Sequence, residues 1–217
     1  ILTRHHIKIN MSSSVSLPRA VALVGTTLIF PPPVVSTSIV NRGTGAGGSN
    51  TNASGLAFEK RTSLDECFDV VSENRNGKTV KFHDSDITLI RSEKGQFIRS
   101  MNDIRNSDII LASGCKQPDE SFFNTAKTRA VIIEKKMQNK NGSVDEKIQT
   151  GAFKKFHYNT LYPQCNIAYA YCLSNWFKKK EYRSVIEYLR ANGVYVFWGE
   201  DEDYKTKMKN FVLSKFQ

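Results

Sequence analysis

Pro118-Asp119 followed by Val131-Ile132-Ile133-Glu134-Lys135-Lys136 is the stretch on which the reading of this chain turns. An acidic residue in a turn precedes an apolar run of strand length that ends in Glu-x-Lys. Side chains alternate faces along a strand, so Glu134 and Lys136 share one face and Lys135 takes the other. If the turn brings Asp119 to the first face, two carboxylates meet beside an ammonium. That grouping suits a hard divalent cation with a lysine poised next to it.

Working outward, the segments on either side predict a mixed α/β arrangement. Leu64, Cys67, Phe68 and Val71 fall at helical spacing and predict a helix over 63–73. Ser63 with Glu66 would cap it, and its start could lie as early as Gly55. Asn74-Arg-Asn-Gly77 is a turn, and Val80–His83 and Ile87–Arg91 read as strands. A short helix over 97–105 and a buried strand at Asp108–Ala112 follow, then a turn-like stretch from Gly114 to Asp119. Gly142-Ser143-Val144-Asp145-Glu146 opens a helix with Ser143 as cap and Val144, Ile148 and Ala152 as its apolar stripe. Lys147 and Lys154 run along one edge of that stripe. Lys155 falls inside the apolar arc, so the helix should end near there unless Lys155 snorkels. A strand at 167–173, a helix over 179–192 stopped by Gly193, a strand at 194–198 and a helix from the acidic run 200–203 complete the chain. The expectation is one sheet, antiparallel at first and then β-α-β-α-β-α, flanked by helices. No internal repeat is visible.

The chain of 217 residues carries a net charge of +10, and the charge is unevenly spread. Residues 1–58 hold no Asp or Glu and only Arg4, Lys8, Arg19 and Arg42. The remaining 27 Lys and Arg against 21 Asp and Glu leave the body at +6, an excess that suits a polyanionic partner. The sequence starts at Ile1 with its first methionine at Met11, and Ala20–Phe30 is an eleven-residue uncharged run, too short to span a bilayer. That run imitates a signal-peptide core, and the acid-free stretch imitates a transit peptide. Prolines 31–33 and the Gly/Ser/Asn-rich segment 41–54 favour a flexible or non-native extension over 1–54, with residues 55–217 as the folded domain. No transmembrane helix is expected, and the pattern of cysteines suits a reducing, cytoplasmic location. Cys67, Cys115, Cys165 and Cys172 contain no CxxC pair and no histidines at zinc-finger spacing, so they read as reduced thiols. GxSxG, Walker and dinucleotide glycine patterns are absent, which leaves esterase, NTPase and Rossmann readings unsupported.

Four pieces taken in order resemble the PD-(D/E)xK nuclease superfamily, and within it the type II restriction endonucleases. They are Gly55-Leu-Ala-Phe-Glu59, Gly114-Cys-Lys-Gln-Pro-Asp-Glu120, Ile132-Ile-Glu-Lys-Lys-Met-Gln138 and Gly142-Ser-Val-Asp-Glu-Lys-Ile-Gln149. The resemblance covers about residues 55–160 and implies a restriction-endonuclease-like fold. It implies that Asp119 and Glu134 hold Mg²⁺ with the Lys135 backbone carbonyl, and that Lys136 orients or activates the attacking water. Glu59 matches the first-helix acid that can support the metal, although on a continuous helix it lies about 140° round from Leu64. Gln138 would share the face of Glu134 and Lys136 and touch the phosphate or a metal-bound water, and Lys147 could grip the DNA backbone. Glu120 reads equally as a spare acid or a turn residue. Lys178-Lys179-Lys180 reads as a solvated loop before a phosphate clamp. His157 with Asn159 lacks the further His and Asp of an HNH nuclease. The function implied is Mg²⁺-dependent cutting of double-stranded DNA at a short specific sequence by a homodimer. A repair or junction-resolving nuclease on the same fold, or a non-catalytic DNA-binding module on a decayed one, are the alternatives.

Overall fold

The apolar run at 130–133 becomes the middle of the central strand, and its two side-chain faces organise everything else. The computed structural model describes residues 49–110, 112 and 117–217. Strand β5 (Arg129–Lys136) sits in a seven-stranded sheet whose spatial order follows the chain. Strands β1 (Phe68–Asn74), β2 (Gly77–Phe82), β3 (Thr88–Ser92) and β4 (Glu120–Phe123) lead antiparallel into β5. Strands β6 (Asn166–Leu173) and β7 (Tyr195–Trp198) then run parallel to it. Parallel neighbours need crossover helices, which cover one face, and the first and last helices cover the other; β5 therefore has no polar residue between Arg129 and Glu134.

Val131 and Ile133 point to one face with Phe122 and Cys172. There they meet helices α1 (Ser49–Arg61) and α6 (Tyr204–Ser214) through Phe58, Tyr204, Met208 and Val212. Ala130 and Ile132 point to the other face with Tyr169 and Tyr171. That face is covered by α2 (Gly95–Ser100), α3 (Val144–Gln149), α4 (Gly151–Leu161) and α5 (Arg183–Ala191). Period-two alternation therefore assigns Lys135 to the α1/α6 side and Glu134 and Lys136 to the α3/α4 side.

The antiparallel-then-parallel order, both ends of the β5–α6 half and the stop at Gly193 match the sequence reading. Gly193 has φ +70°, and the Gly193 and Val194 amides donate to Arg190 and Leu189 carbonyls at 2.9 Å, closing α5.

Four elements differ. The helix expected over 63–73 is a short 3₁₀ turn followed by strand β1. Leu64 and Phe68 are buried because the chain enters the core there, whereas Val71 is 63% exposed on an edge strand. The hairpin turn decides the matter: Asn74 pairs with Gly77, Gly77 adopts φ +144°, and Asn74 Oδ1 caps the Asn76 amide at 2.8 Å. The strand expected at 108–112 does not form among its described residues, and Ile110 is 89% exposed. The strand that fills the sheet is β4, four residues long and wholly buried. The helix opened at Gly142 has no Ser143 side-chain cap, breaks at Thr150, and resumes as α4 to Leu161. Lys155 does snorkel, its Nζ donating to the Asn192 carbonyl at 3.1 Å, and so the helix continues. Finally α1 begins at Ser49, ahead of the boundary expected after residue 54; residues 1–48 lie outside the described residues. Among the described residues no helix is long and apolar enough to cross a membrane.

Candidate active site

Pairing of β4 with β5 sets Glu120 opposite Ile133, which carries the preceding turn, and Asp119 with it, alongside Glu134 and Lys135. The turn is held from behind, where the Lys94 amide donates to the Pro118 carbonyl at 2.7 Å. Asp119 Oδ2 then accepts the Lys135 amide at 2.7 Å, a bond that fixes the carboxylate at the end of β5. Glu134 and Lys136 project from the same face, as alternation requires, with Lys136 Nζ 2.8 Å from Glu134 Oε1. The same ammonium donates to the Lys135 carbonyl at 3.0 Å and lies 3.4 Å from Asp119 Oδ2. Three oxygens from three residues thus converge on one cation. They are the three for which the sequence reading expects a shared positive ion.

Charge and burial set the protonation of the group. Burial pushes the Asp119 carboxyl above its usual range, and the Glu134 charge adds to that against the pull of Lys136. Glu134 is buried too, but the Lys136 and Lys154 ammoniums outweigh the loss of solvent and hold it below the usual range. Burial would lower Lys136, yet Glu134 and Asp119 raise it above an ordinary lysine. Lys136 is therefore a firmly protonated donor in this arrangement.

Lys154 is the member that sequence reasoning missed. It extends from α4 and places Nζ 2.7 Å from Glu134 Oε1. Its spacing of seven from Lys147 put it on the correct edge, but the expected helix end near 153–155 left it out. Lys147, expected at the DNA backbone, is exposed on α3, and it is Lys154 that reaches the carboxylate.

Other expectations change more. Gln138 is buried rather than facing a phosphate. Its backbone brackets the Ser174 hydroxyl at 3.1 Å in both directions, and Nε2 donates to Asp145 Oδ1 at 2.5 Å. Glu120 is neither spare nor in a turn. It is 1% exposed on β4, with Lys135 Nζ 2.8 Å from Oε2 and Arg91 Nε 3.5 Å from Oε1. Lys135 does point away from Glu134, but into this buried ion pair, and its ammonium also donates to the Glu59 carbonyl at 3.1 Å.

Glu59 belongs to α1, which ends at Arg61, so the angular objection based on Leu64 falls away. Its carboxylate lines a cavity of about 220 Å³ together with Asp119, Asp65, Glu93, Arg91 and Lys135. Burial raises its pKa, and the Asp119 charge raises it further. Asp119 thus borders both this cavity and Lys136.

Among the described residues no three His, Cys, Asp or Glu side chains surround one point. The available donor set is two carboxylates and one backbone carbonyl, all oxygen. Such a set fits Mg²⁺, which commonly binds through one or two carboxylates and keeps several waters, and does not fit a structural zinc.

No family model, curated protein or solved structure matches the chain. The functional reading therefore stands on the geometry of these residues and on the sequence resemblance.

Proposed function

We propose that this protein is a Mg²⁺-dependent endodeoxyribonuclease with a restriction-endonuclease-like core, cutting double-stranded DNA at a short specific sequence. The observation that carries the proposal is the convergence of Asp119 Oδ2, Glu134 Oε1 and the Lys135 carbonyl on the Lys136 ammonium. Oxygens arranged for one cation suit another, and the two carboxylates with that carbonyl would hold Mg²⁺. When bound, Mg²⁺ supplies charge neutralisation at the scissile phosphate and acidifies a coordinated water. Lys136, which shares a strand face with Glu134, donates a hydrogen bond to the attacking water or to a phosphate oxygen. Lys154 keeps Glu134 ionised and adds a second positive charge facing the phosphate. Asp119 is held by the Lys135 amide, so its oxygen stays in place when Lys136 moves.

The excess of six cations over residues 59–217 suits a polyanionic substrate. Recognition of a short site by a restriction enzyme commonly follows two-fold symmetry, so we assign a homodimer; the free thiols of Cys67, Cys165 and Cys172 suit the cytoplasm. Metal dependence tests the reading. Cleavage of plasmid DNA should proceed with Mg²⁺ or Mn²⁺, stop in EDTA, and be inhibited by Ca²⁺ with DNA still bound. Full cleavage in EDTA would overturn the assignment of Asp119 and Glu134.

A further inference from the structure

Strands β5, β6 and β7 are parallel, so all three end on the same edge of the sheet. Along that edge Lys136 stands in register with Leu173, and Leu173 with Trp198. Adjacent strands lie about 4.8 Å apart, which puts the Trp198 backbone roughly 10 Å from that of Lys136. Trp198 forms one wall of a groove of about 320 Å³ between the segment after β6 and helix α5. Of its nine lining residues five are cations (Lys178, Lys179, Lys180, Arg183, Arg190) and one, Glu187, is an acid.

The cations are not equivalent. Lys178 is paired with Asp201 at 2.6 Å and Arg183 with Glu187 at 2.8 Å. Lys179, Lys180 and Arg190 are exposed, and none has an acidic partner among the described residues. Lys179 is instead held with Nζ 3.0 Å from the centre of the Trp176 ring, which orders the ammonium without neutralising it. This wall is joined to the end of β5 by a continuous chain of hydrogen bonds. Trp176 Nε1 donates to the Tyr182 hydroxyl at 2.7 Å, and that hydroxyl donates to Asp145 Oδ1 at 2.8 Å. Asp145 Oδ1 also accepts Gln138 Nε2, two residues beyond Lys136. The groove is therefore fixed relative to the candidate site. This also explains why Gln138 and Tyr182 are tied up inside the protein.

We propose that this groove is a second contact for duplex DNA, in which Lys179, Lys180 and Arg190 bind backbone phosphates flanking the bond cut at Asp119 and Glu134. The inference rests on the nuclease reading for its partner. DNA advances 3.4 Å along its axis per phosphate on each strand. The roughly 10 Å between the Lys136 and Trp198 backbones equals about three such steps, so the Trp198 wall of the groove lies within one turn of a duplex seated at Lys136. Lys178-Lys179-Lys180 is then a phosphate clamp rather than a solvated loop. The two acid-paired cations frame it, and the three unpaired ones do the binding.

The test is fluorescence anisotropy of the full chain with a labelled 30-base-pair duplex in EDTA, from 50 to 300 mM KCl. Each phosphate contact contributes about 0.9 to the slope of log K against log salt. The variant Lys179→Ala/Lys180→Ala/Arg190→Ala should lower the slope by about 2 to 3 and weaken binding at 0.1 M salt roughly 100-fold. The charge-preserving variant Lys179→Arg/Lys180→Arg/Arg190→Lys should keep the wild-type slope. A matched loss of charge elsewhere, Lys81→Ala/Lys127→Ala/Lys209→Ala, should leave it unchanged. A triple-alanine variant that melts like wild type and keeps the wild-type slope would overturn the inference while leaving the nuclease reading intact. Single-stranded RNA competing as well as duplex DNA would overturn the duplex assignment. Absence of any DNA binding by the wild-type chain would overturn both.

Discussion

Replacing Lys135 by alanine should unfold the protein more readily without removing a group that touches substrate. Its side chain is 3% exposed, and its ammonium sits 2.8 Å from the carboxylate of Glu120, which is 1% exposed. Removing one member of a buried ion pair typically costs about 3–5 kcal/mol, because the remaining charge is stranded away from water. Arg91 Nε stays 3.5 Å from the other Glu120 oxygen and softens the loss, which points to the lower end, about 3 kcal/mol. For a protein of this size each kcal/mol moves Tm by about 2–4 °C, so a fall of roughly 6–12 °C is expected in a calorimetric melt. The double variant Lys135→Met/Glu120→Gln, which removes both charges and keeps an oxygen for the Leu64 amide, should recover part of that fall. Cutting at low temperature, where Lys135→Ala remains folded, should survive. A Tm lowered by less than about 2 °C, or a double variant that melts lower still, would refute the claim that this pair supports the sheet beneath the site.

Asp119→Asn, Glu134→Gln and Lys136→Ala should each reduce cleavage by at least about 100-fold, and Lys154→Ala by about 10- to 100-fold, in single-turnover assays with Mg²⁺. Undiminished cutting by Glu134→Gln would remove the residue from the site. Burial pushes the Cys165 thiol up to about 12 and the Cys172 thiol up to about 11. At pH 8 their thiolate fractions are then roughly one in ten thousand and one in a thousand. Peptide mapping after iodoacetamide treatment at pH 8 should find both unmodified in the native protein and both labelled in denaturant. Gly151→Ala should cost about 1–3 kcal/mol, because the added methyl meets the Tyr171 ring and approaches Leu189 to 2.9 Å. Gly142→Ala, whose methyl meets only the Lys140 carbonyl at 3.9 Å, should melt within a degree or two of wild type.

The second half of the fold was legible because its patterns are strong and local. A four-residue apolar run, helical spacing over 182–189 and a glycine able to take φ +70° at 193 each specify their element without help from distant residues. The first half depends on pairing. Val70 and Val71 fit an edge strand only because the hairpin at Asn74–Gly77 closes, and helical spacing at Leu64, Cys67 and Phe68 masked that turn. Strand β4 is four residues long and opens with Glu120 and Ser121 buried, so only the pair Phe122-Phe123 announces it; Ser121 is satisfied by Ser92 at 2.8 Å across the sheet. At the site, Asp119, Glu134 and Lys136 could be read from alternation and one turn. Lys154 could not, because Lys155 in the apolar arc argued for an earlier helix end, and the carbonyl of Asn192 that receives it lies 37 residues away. The Glu120–Lys135 pair was equally hidden, since a lysine on the far face of a strand looks solvated until the helix covering it is known.

The central claim is tested most directly by sequencing DNA ends. Plasmid DNA incubated with the full chain and Mg²⁺ should yield discrete fragments whose termini share one short motif, as expected of a protein that favours its site by about 4–10 kcal/mol over other DNA. Plasmid left uncut in Mg²⁺ and Mn²⁺, or cut into a random smear at low enzyme concentration, would contradict it.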